Sequence, residues 1–277
     1  MVGAEHVSFS AMLTLAHAGA DVVALVTDLP RQQSYAGSAL ARWRVPVWTS
    51  TAVGRVEGRE RLAAVELADL RTGVVRRVEC DTLVFTGDWI PDHELARAAG
   101  SAIDPGTRGP AVDTGLETSV RNVFAAGNLV HAAETADVAA MGGIHAARHI
   151  AAALRAGQGM GVPSPVTLPL DTLPPTSAPL SARVPITVDP PLAWISPNAI
   201  RFSAPPDGPP TSPPRGRFLL RSQVFRRRAV LEVRQGNRVL ARNRARLIPG
   251  RPVHLDAGWL ARIRPADGPV LVALARG

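Results

Sequence analysis

The first residues able to do chemistry lie within eight positions of the amino terminus. In the spacing G-x-G-x-x-G, a strand running into a helix uses its glycines so that backbone N–H groups and the helix N-terminus can meet a dinucleotide pyrophosphate. Here the six positions read Gly3, Ala4, Glu5, His6, Val7 and Ser8, so that only the first glycine is kept. Glu5 brings a carboxylate to the point where phosphates would approach, and like charges meeting in a desolvated turn are costly unless neutralised. A protonated His6 is the nearest group able to offset it. An acid for the ribose hydroxyls belongs at the end of the next strand; Asp28 stands one or two positions late, and Arg31 is close enough for a 2′-phosphate. Two readings stay open: a nicotinamide dinucleotide site on Gly3, Glu5, His6 and Arg31, and a nucleotide fold that keeps its shape without the ligand.

Other constellations are weaker. His145 and His149 are spaced i, i+4, as two metal ligands on one helix face would be. No cysteine or carboxylate at a suitable spacing completes the set, so no metal is expected. Asp92-His93-Glu94 reads as a helix start, where capping and the dipole favour acids. No G-x-S-x-G elbow is present, which argues against a hydrolase. Cys80 is the one cysteine. It excludes a disulfide framework and a C-x-x-C redox pair on this chain, and it fits a reducing, cytoplasmic setting.

These residues must be positioned by a chain of 277 residues that is 46% hydrophobic and 19% charged, enough to bury a core. Val2-Gly3, a helix over 8–17 and the apolar run Val22 to Val26 read as a βαβ opening. A second helix is expected over Ser38 to Arg44, and Val45 to Trp48 returns to the sheet. From Thr51 the period changes to two, predicting an antiparallel meander that turns at Arg71-Thr72-Gly73 and ends in a strand over Thr82 to Thr86. A short helix near His93 to Ala99, a buried strand over Asn122 to Asn128 and an Ala-rich helix over about 135–155 follow. Between Gly161 and Pro214 stand 16 of the 25 prolines, too many for a continuous helix or central strand. Most of this segment reads as linker, with Ala193 to Phe202 as a strand crossing into a small antiparallel β module from Arg217 onwards.

The order of these pieces, with the strand end "VFTGDWIPD" and the segment "TSVRNVFAAGN" before an Ala-rich helix, resembles the FAD-dependent pyridine nucleotide-disulfide oxidoreductase family over about residues 2–157. The fold implied is α/β: a Rossmann-like parallel sheet with an antiparallel β meander, and a small C-terminal antiparallel β domain after a Pro-rich linker. The expected domains are an NAD(P)-binding-like domain with the meander (1–87), the C-terminal part of an FAD-binding domain (88–160), the linker (161–214) and a basic β module (215–277). The resemblance implies FAD as cofactor and NAD(P) as a further one. It puts Gly87 and Asp88 in the turn connecting the domains and Gly127 close to the FAD ribityl and phosphate region. Asn128 stands where the family has a ribityl-binding Asp, keeping an acceptor oxygen without the charge. The helix start around Thr135 is aimed at the flavin pyrimidine edge.

Two departures qualify what the resemblance implies. The family's first βαβ unit, with its glycine-rich FAD loop, is absent, so a truncated reading frame or a second polypeptide is expected to account for half of the flavin site. With no C-x-x-C, the implied activity is electron transfer through flavin, not disulfide reduction. The rival expectation is an incomplete or non-catalytic subunit that keeps the fold as a scaffold and binds a partner through the β module.

Charge bears on partners. The formal charge is +8, and all 31 basic residues are Arg. Residues 1–160 carry 14 Arg against 17 acids, whereas residues 161–277 carry 17 Arg against 6 acids. The excess is thus confined to the β module, with Arg226-Arg227-Arg228 and the alternating Arg242, Arg244 and Arg246 on or beside its strands. No aromatic interleaving accompanies them, so nucleic acid is not expected as a partner. No apolar run is long enough to span a bilayer, so neither is a membrane. An electron acceptor or a second subunit is.

Overall fold

A computed structural model describes residues 1–34, 45–87, 89–132, 134–158, 182–203 and 208–275, apart from the side chains of 156–158. The chain divides into two units, Met1–Trp89 and Ile90–Gly277.

In the first unit Val2 is the hub of a parallel sheet. It bridges Phe85 on one side and Val26 on the other, and β1 (Leu25–Val26) pairs in parallel with β2 (Val47–Trp48). The backbone N–H groups of Val2, Gly3 and Thr86 donate to Val84, Val26 and Val2 at 2.7, 2.8 and 2.9 Å. Helix α1 (His6–His17) returns antiparallel to these strands, as a βαβ crossover requires, and buries Phe9 and Met12 against Leu25. It stops where Gly19 turns left-handed at φ 81°. The ladder is shorter than the apolar run Val22 to Val26 suggests, because only Leu25 and Val26 find partners. The helix expected over Ser38 to Arg44 lies outside the described residues, as does Asp88.

The meander forms as its period-two pattern predicts: β3 (Thr51–Glu57), β4 (Ala64–Asp69) and β5 (Val75–Glu79) pair antiparallel in that order. Its hairpin is fixed by Asp69, whose Oδ1 accepts the Arg71 and Thr72 N–H groups at 2.8 and 3.1 Å. Val65 and Leu67 pack with Val26 in a core that also takes in half-buried Cys80.

The second unit opens with α2 (Glu94–Ala98) and a tight loop region. The strand expected over Asn122 to Asn128 does not form. Phe124 makes one antiparallel bridge, to Glu117, and Asn122 is left-handed at φ 62°. A buried strand needs a neighbour along each edge, and among the described residues Glu117 alone pairs with this run. A single 3-10 turn, Gly127–Leu129, then leads to α3 (Ala136–Gln158).

The β domain begins earlier than expected. Three strands lie inside the segment read as linker: β6 (Arg183–Val188), β7 (Leu192–Ser196) and β8 (Ala199–Arg201). Ala193 to Phe202 is therefore not one strand; it breaks at Pro197, which has no N–H to give a ladder, and its halves enter different sheets. With β9 (Arg217–Ser222), β10 (Arg226–Gln235), β11 (Arg238–Leu247), β12 (Val253–Asp256) and β13 (Val270–Leu274) they build two sheets, β11-β10-β13-β6-β8 and β12-β9-β7. One pairing, β13 with β6, is parallel. Phe218, Leu220, Leu231, Val233 and Leu255 are fully buried in the shared core, and Phe218 stacks on Trp259 at 5.2 Å.

Buried ions join the Val112–Thr118 loop to this β domain. The Asp113 side chain has no exposed surface, and its Oδ1 accepts the Gly115 and Glu117 N–H groups at 2.9 and 3.2 Å. Its Oδ2 lies 2.9 Å from Arg183 Nε, out of hydrogen-bond alignment. Glu117 Oε2 takes Arg183 Nη2 at 3.1 Å and Arg201 Nη1 at 2.9 Å. Asn198 adds a neutral clamp: its Oδ1 accepts the Val112 N–H at 2.9 Å and its own N–H donates to Val112 O at 3.1 Å.

Candidate functional site

In the first unit, Gly3, Thr27, Thr49 and Thr86 follow the parallel strands at their carboxyl edge, where open α/β sheets bind ligands. Gly3 sits at φ 133°, a conformation that disfavours any side chain. The place its Cβ would take is already filled: Thr86 Oγ1 is 2.1 Å from that point, and Glu5 Oε2 and Ser8 Oγ are each 2.8 Å from it. Ser8 and Thr86 share a buried hydrogen bond of 2.7 Å. Neither residue was expected at the site, although Ser8 stands at the third glycine position, where close strand–helix contact is the usual requirement. We expect Gly3→Ala to lower the stability of this unit by about 2 kcal/mol, read by thermal unfolding, because it combines backbone strain with an atom where three oxygens already converge.

Glu5 is the N-cap residue of α1 with extended backbone, and it makes no side-chain capping bond. Among the described residues its buried Oε1 has no hydrogen-bond partner. The loop after β1 folds back over this turn, with Gln33 N–H donating to Ala4 O at 2.8 Å. His6 is exposed, its Nδ1 3.4 Å from Ser34 Oγ. Arg31 is exposed on the same loop, and Gly87 lies open at the sheet edge. The structure thus gathers Gly3, Glu5, Ser8 and Thr86 into one packed turn and leaves Arg31 and Gly87 at the surface.

In the second unit, Gly127 is left-handed at φ 72° and opens the turn that feeds α3. An added Cβ there would meet Ala139 Cβ at an ordinary 3.7 Å. Asn128 is exposed, and its Oδ1 accepts the Glu134 N–H at 3.1 Å, which leaves its amide NH2 as the group to offer. Exposed Thr135 donates its hydroxyl to Asp137. That bond, with the Asp137 and Val138 backbone N–H groups, holds the Asp137 carboxyl below the usual carboxylate range. On its inner side Gly127 faces a cavity of about 50 Å³ lined also by Ala139, Gly142, Pro197, Leu219 and His254. Ligand pockets are several-fold larger, so a flavin ring does not enter it. The outer face, with Asn128, Thr135 and the Asp137 carboxylate at the start of α3, is open.

Beside this turn, His131 stacks on Trp194 at 5.2 Å, and the Arg221 guanidinium lies 5.6 Å from the same indole. Arg221 Nη2 donates to Glu134 Oε1 at 2.8 Å, a pair with side chains 11% and 6% exposed. Burial, and then the Arg221 charge, push the His131 pKa down to about 4. The i, i+4 pair has its own contacts: the His145 and His149 rings lie 4.6 Å apart, tilted by 53°, and His145 Nε2 lies 2.8 Å from Thr114 O. Among the described residues no cluster of three metal-binding side chains occurs.

Residues 2–143, just over half of the chain, match the family model for pyridine nucleotide-disulphide oxidoreductases. The chain belongs to this family. Pyridine nucleotide-disulphide oxidoreductases are FAD-dependent and bind FAD and NAD(P)H. Among solved structures, the thioredoxin reductase of T. acidophilum is 20% identical with a TM-score of 0.49, covering 56% of this chain and 51% of its own. That of Lactococcus lactis is 15% identical with a TM-score of 0.49, covering 55% and 50%. The chain therefore spans about half the length of the solved oxidoreductases it matches. No curated protein matches it. No helix among the described residues is long and apolar enough to cross a membrane.

Proposed function

We propose that this chain is the nucleotide-binding part of a cytoplasmic FAD-dependent oxidoreductase that passes electrons through flavin without a redox-active disulfide. The observation that carries the reading is the continuity of the family match, which runs from the parallel sheet at Val2 through the Gly127 turn and into α3. A single cysteine, half-buried in the core of the first unit, supports electron transfer that does not pass through a dithiol of this chain.

When bound, FAD supplies the electron carrier. The work of this chain is positioning. With FAD bound, the left-handed Gly127 turn would let backbone come close to the ribityl chain, the Asn128 amide would offer it a hydrogen bond, and the Thr135 end of α3 would face the pyrimidine edge. Asp137 opposes added negative charge there.

Purified full-length protein incubated with FAD and desalted is expected to retain a flavin-type visible band that Asn128→Ala and Gly127→Val weaken. Absence of the band after reconstitution would favour the second reading, a scaffold subunit, for which the filled Gly3 turn is the specific support.

A further inference from the structure

We propose that the Glu5 carboxylate is a built-in substitute for the dinucleotide pyrophosphate, so that the first unit keeps the nucleotide-binding fold with its phosphate position closed to NAD(P). This goes beyond the flavin reading and does not depend on it, because Glu5 and Gly127 lie in different units.

Three observations converge. The first is steric. In this motif the second glycine leaves backbone open to the phosphates, and Glu5 stands at that position. Here the space beside Gly3 holds Thr86 Oγ1, Glu5 Oε2 and Ser8 Oγ instead. The second is electrostatic. The first turn of a helix favours one anion through its free N–H groups and its dipole. Glu5, at the N-cap of the 12-residue α1, already supplies that charge, and among the described residues its buried Oε1 has no hydrogen-bond partner. An arriving phosphate would meet a second negative charge in this partly buried turn. The third is closure: the Gln33 N–H bond to Ala4 O holds the following loop down over the same turn.

The test is a titration of the full-length protein with NADH and with NADPH, followed by tryptophan fluorescence and by calorimetry. Wild type, Glu5→Gln and Glu5→Gly are compared, and the flavin band is recorded separately for each. Glu5→Gln keeps the side chain's size while removing its charge, so it reports even where the glycine variant loosens the N-cap. Wild type is expected not to saturate at about 1 mM of either dinucleotide, and both variants to bind at least about tenfold more tightly with flavin content unchanged. Micromolar saturation of wild type, or folded variants that bind no better, would overturn the proposal. Neither outcome bears on the flavin site, whose own failure shows only as a missing flavin band.

Discussion

Arg183→Met is expected to lower the unfolding free energy of the Ile90–Gly277 unit by about 3–5 kcal/mol, because it leaves two buried carboxylates facing one remaining guanidinium. The lost side chain serves three groups: it pairs with Asp113 Oδ2 at 2.9 Å, and it donates to Glu117 Oε2 at 3.1 Å and to Thr118 O at 2.8 Å. Burial outweighs the attraction of Arg183 and Arg201 and holds the Asp113 carboxyl above its ordinary range even in the intact cluster. Without Arg183 the carboxyl is pushed further in the same direction. A folded-state pKa above the unfolded one means that the folded chain takes up protons more readily, so acidification favours it. The deficit of Arg183→Met against wild type should therefore narrow as pH falls through the folded pKa. Urea denaturation followed by the fluorescence of Trp194 and Trp259 at several pH values measures both effects. A loss as small as that of Arg61→Ala, whose partner Asp81 is 69% exposed, would show that the cluster contributes nothing beyond a solvated pair.

The second large effect is acid sensitivity centred on His131. Its ordinary pKa of 6.5 applies to the unfolded chain, whereas folded it protonates only near 4. Between those values the unfolded chain binds the extra proton, so stability that is fully present above 6.5 is lost progressively as pH drops toward 4. The whole difference is worth about 3 kcal/mol. Glu134 does not rescue the imidazolium: its Oε1 is 3.9 Å away and already takes the Arg221 guanidinium at 2.8 Å. His145 and His149 shift in the same direction with less burial, so wild type should lose stability over this range through more than one group. His131→Phe keeps the stacking surface on Trp194 and removes the titration. Its unfolding free energy should change less between pH 6.5 and pH 4.5 than that of wild type, and parallel curves would refute the assignment.

Local patterns carried much of the fold. The small and apolar residues over 8–17 marked out α1, and the period-two alternation from Thr51 marked out the meander; both depend on neighbours close in sequence. The errors fall where long-range pairing decides. Asn122 to Asn128 has the composition of a buried strand, but composition does not provide an edge to pair with. Arg183 to Val188 lies among prolines and was read as linker, yet Val184 and Ile186 alternate into a core most of whose members lie from Phe218 onwards. At the candidate sites, the identity of Glu5 was enough to raise a clash with phosphate. That Ser8 and Thr86 fill the remaining space depends on a strand 78 residues away from Ser8, which no local pattern encodes.

The ion cluster also limits how the gene can be cut. Its acids, Asp113 and Glu117, and its bases, Arg183 and Arg201, are encoded on opposite sides of codons 159–181. A recombination breakpoint in that stretch would separate each charge from its counterion. Grafting the β domain onto another protein, or deleting it from this one, would carry an electrostatic penalty on both sides of the junction, so the two segments should be inherited together.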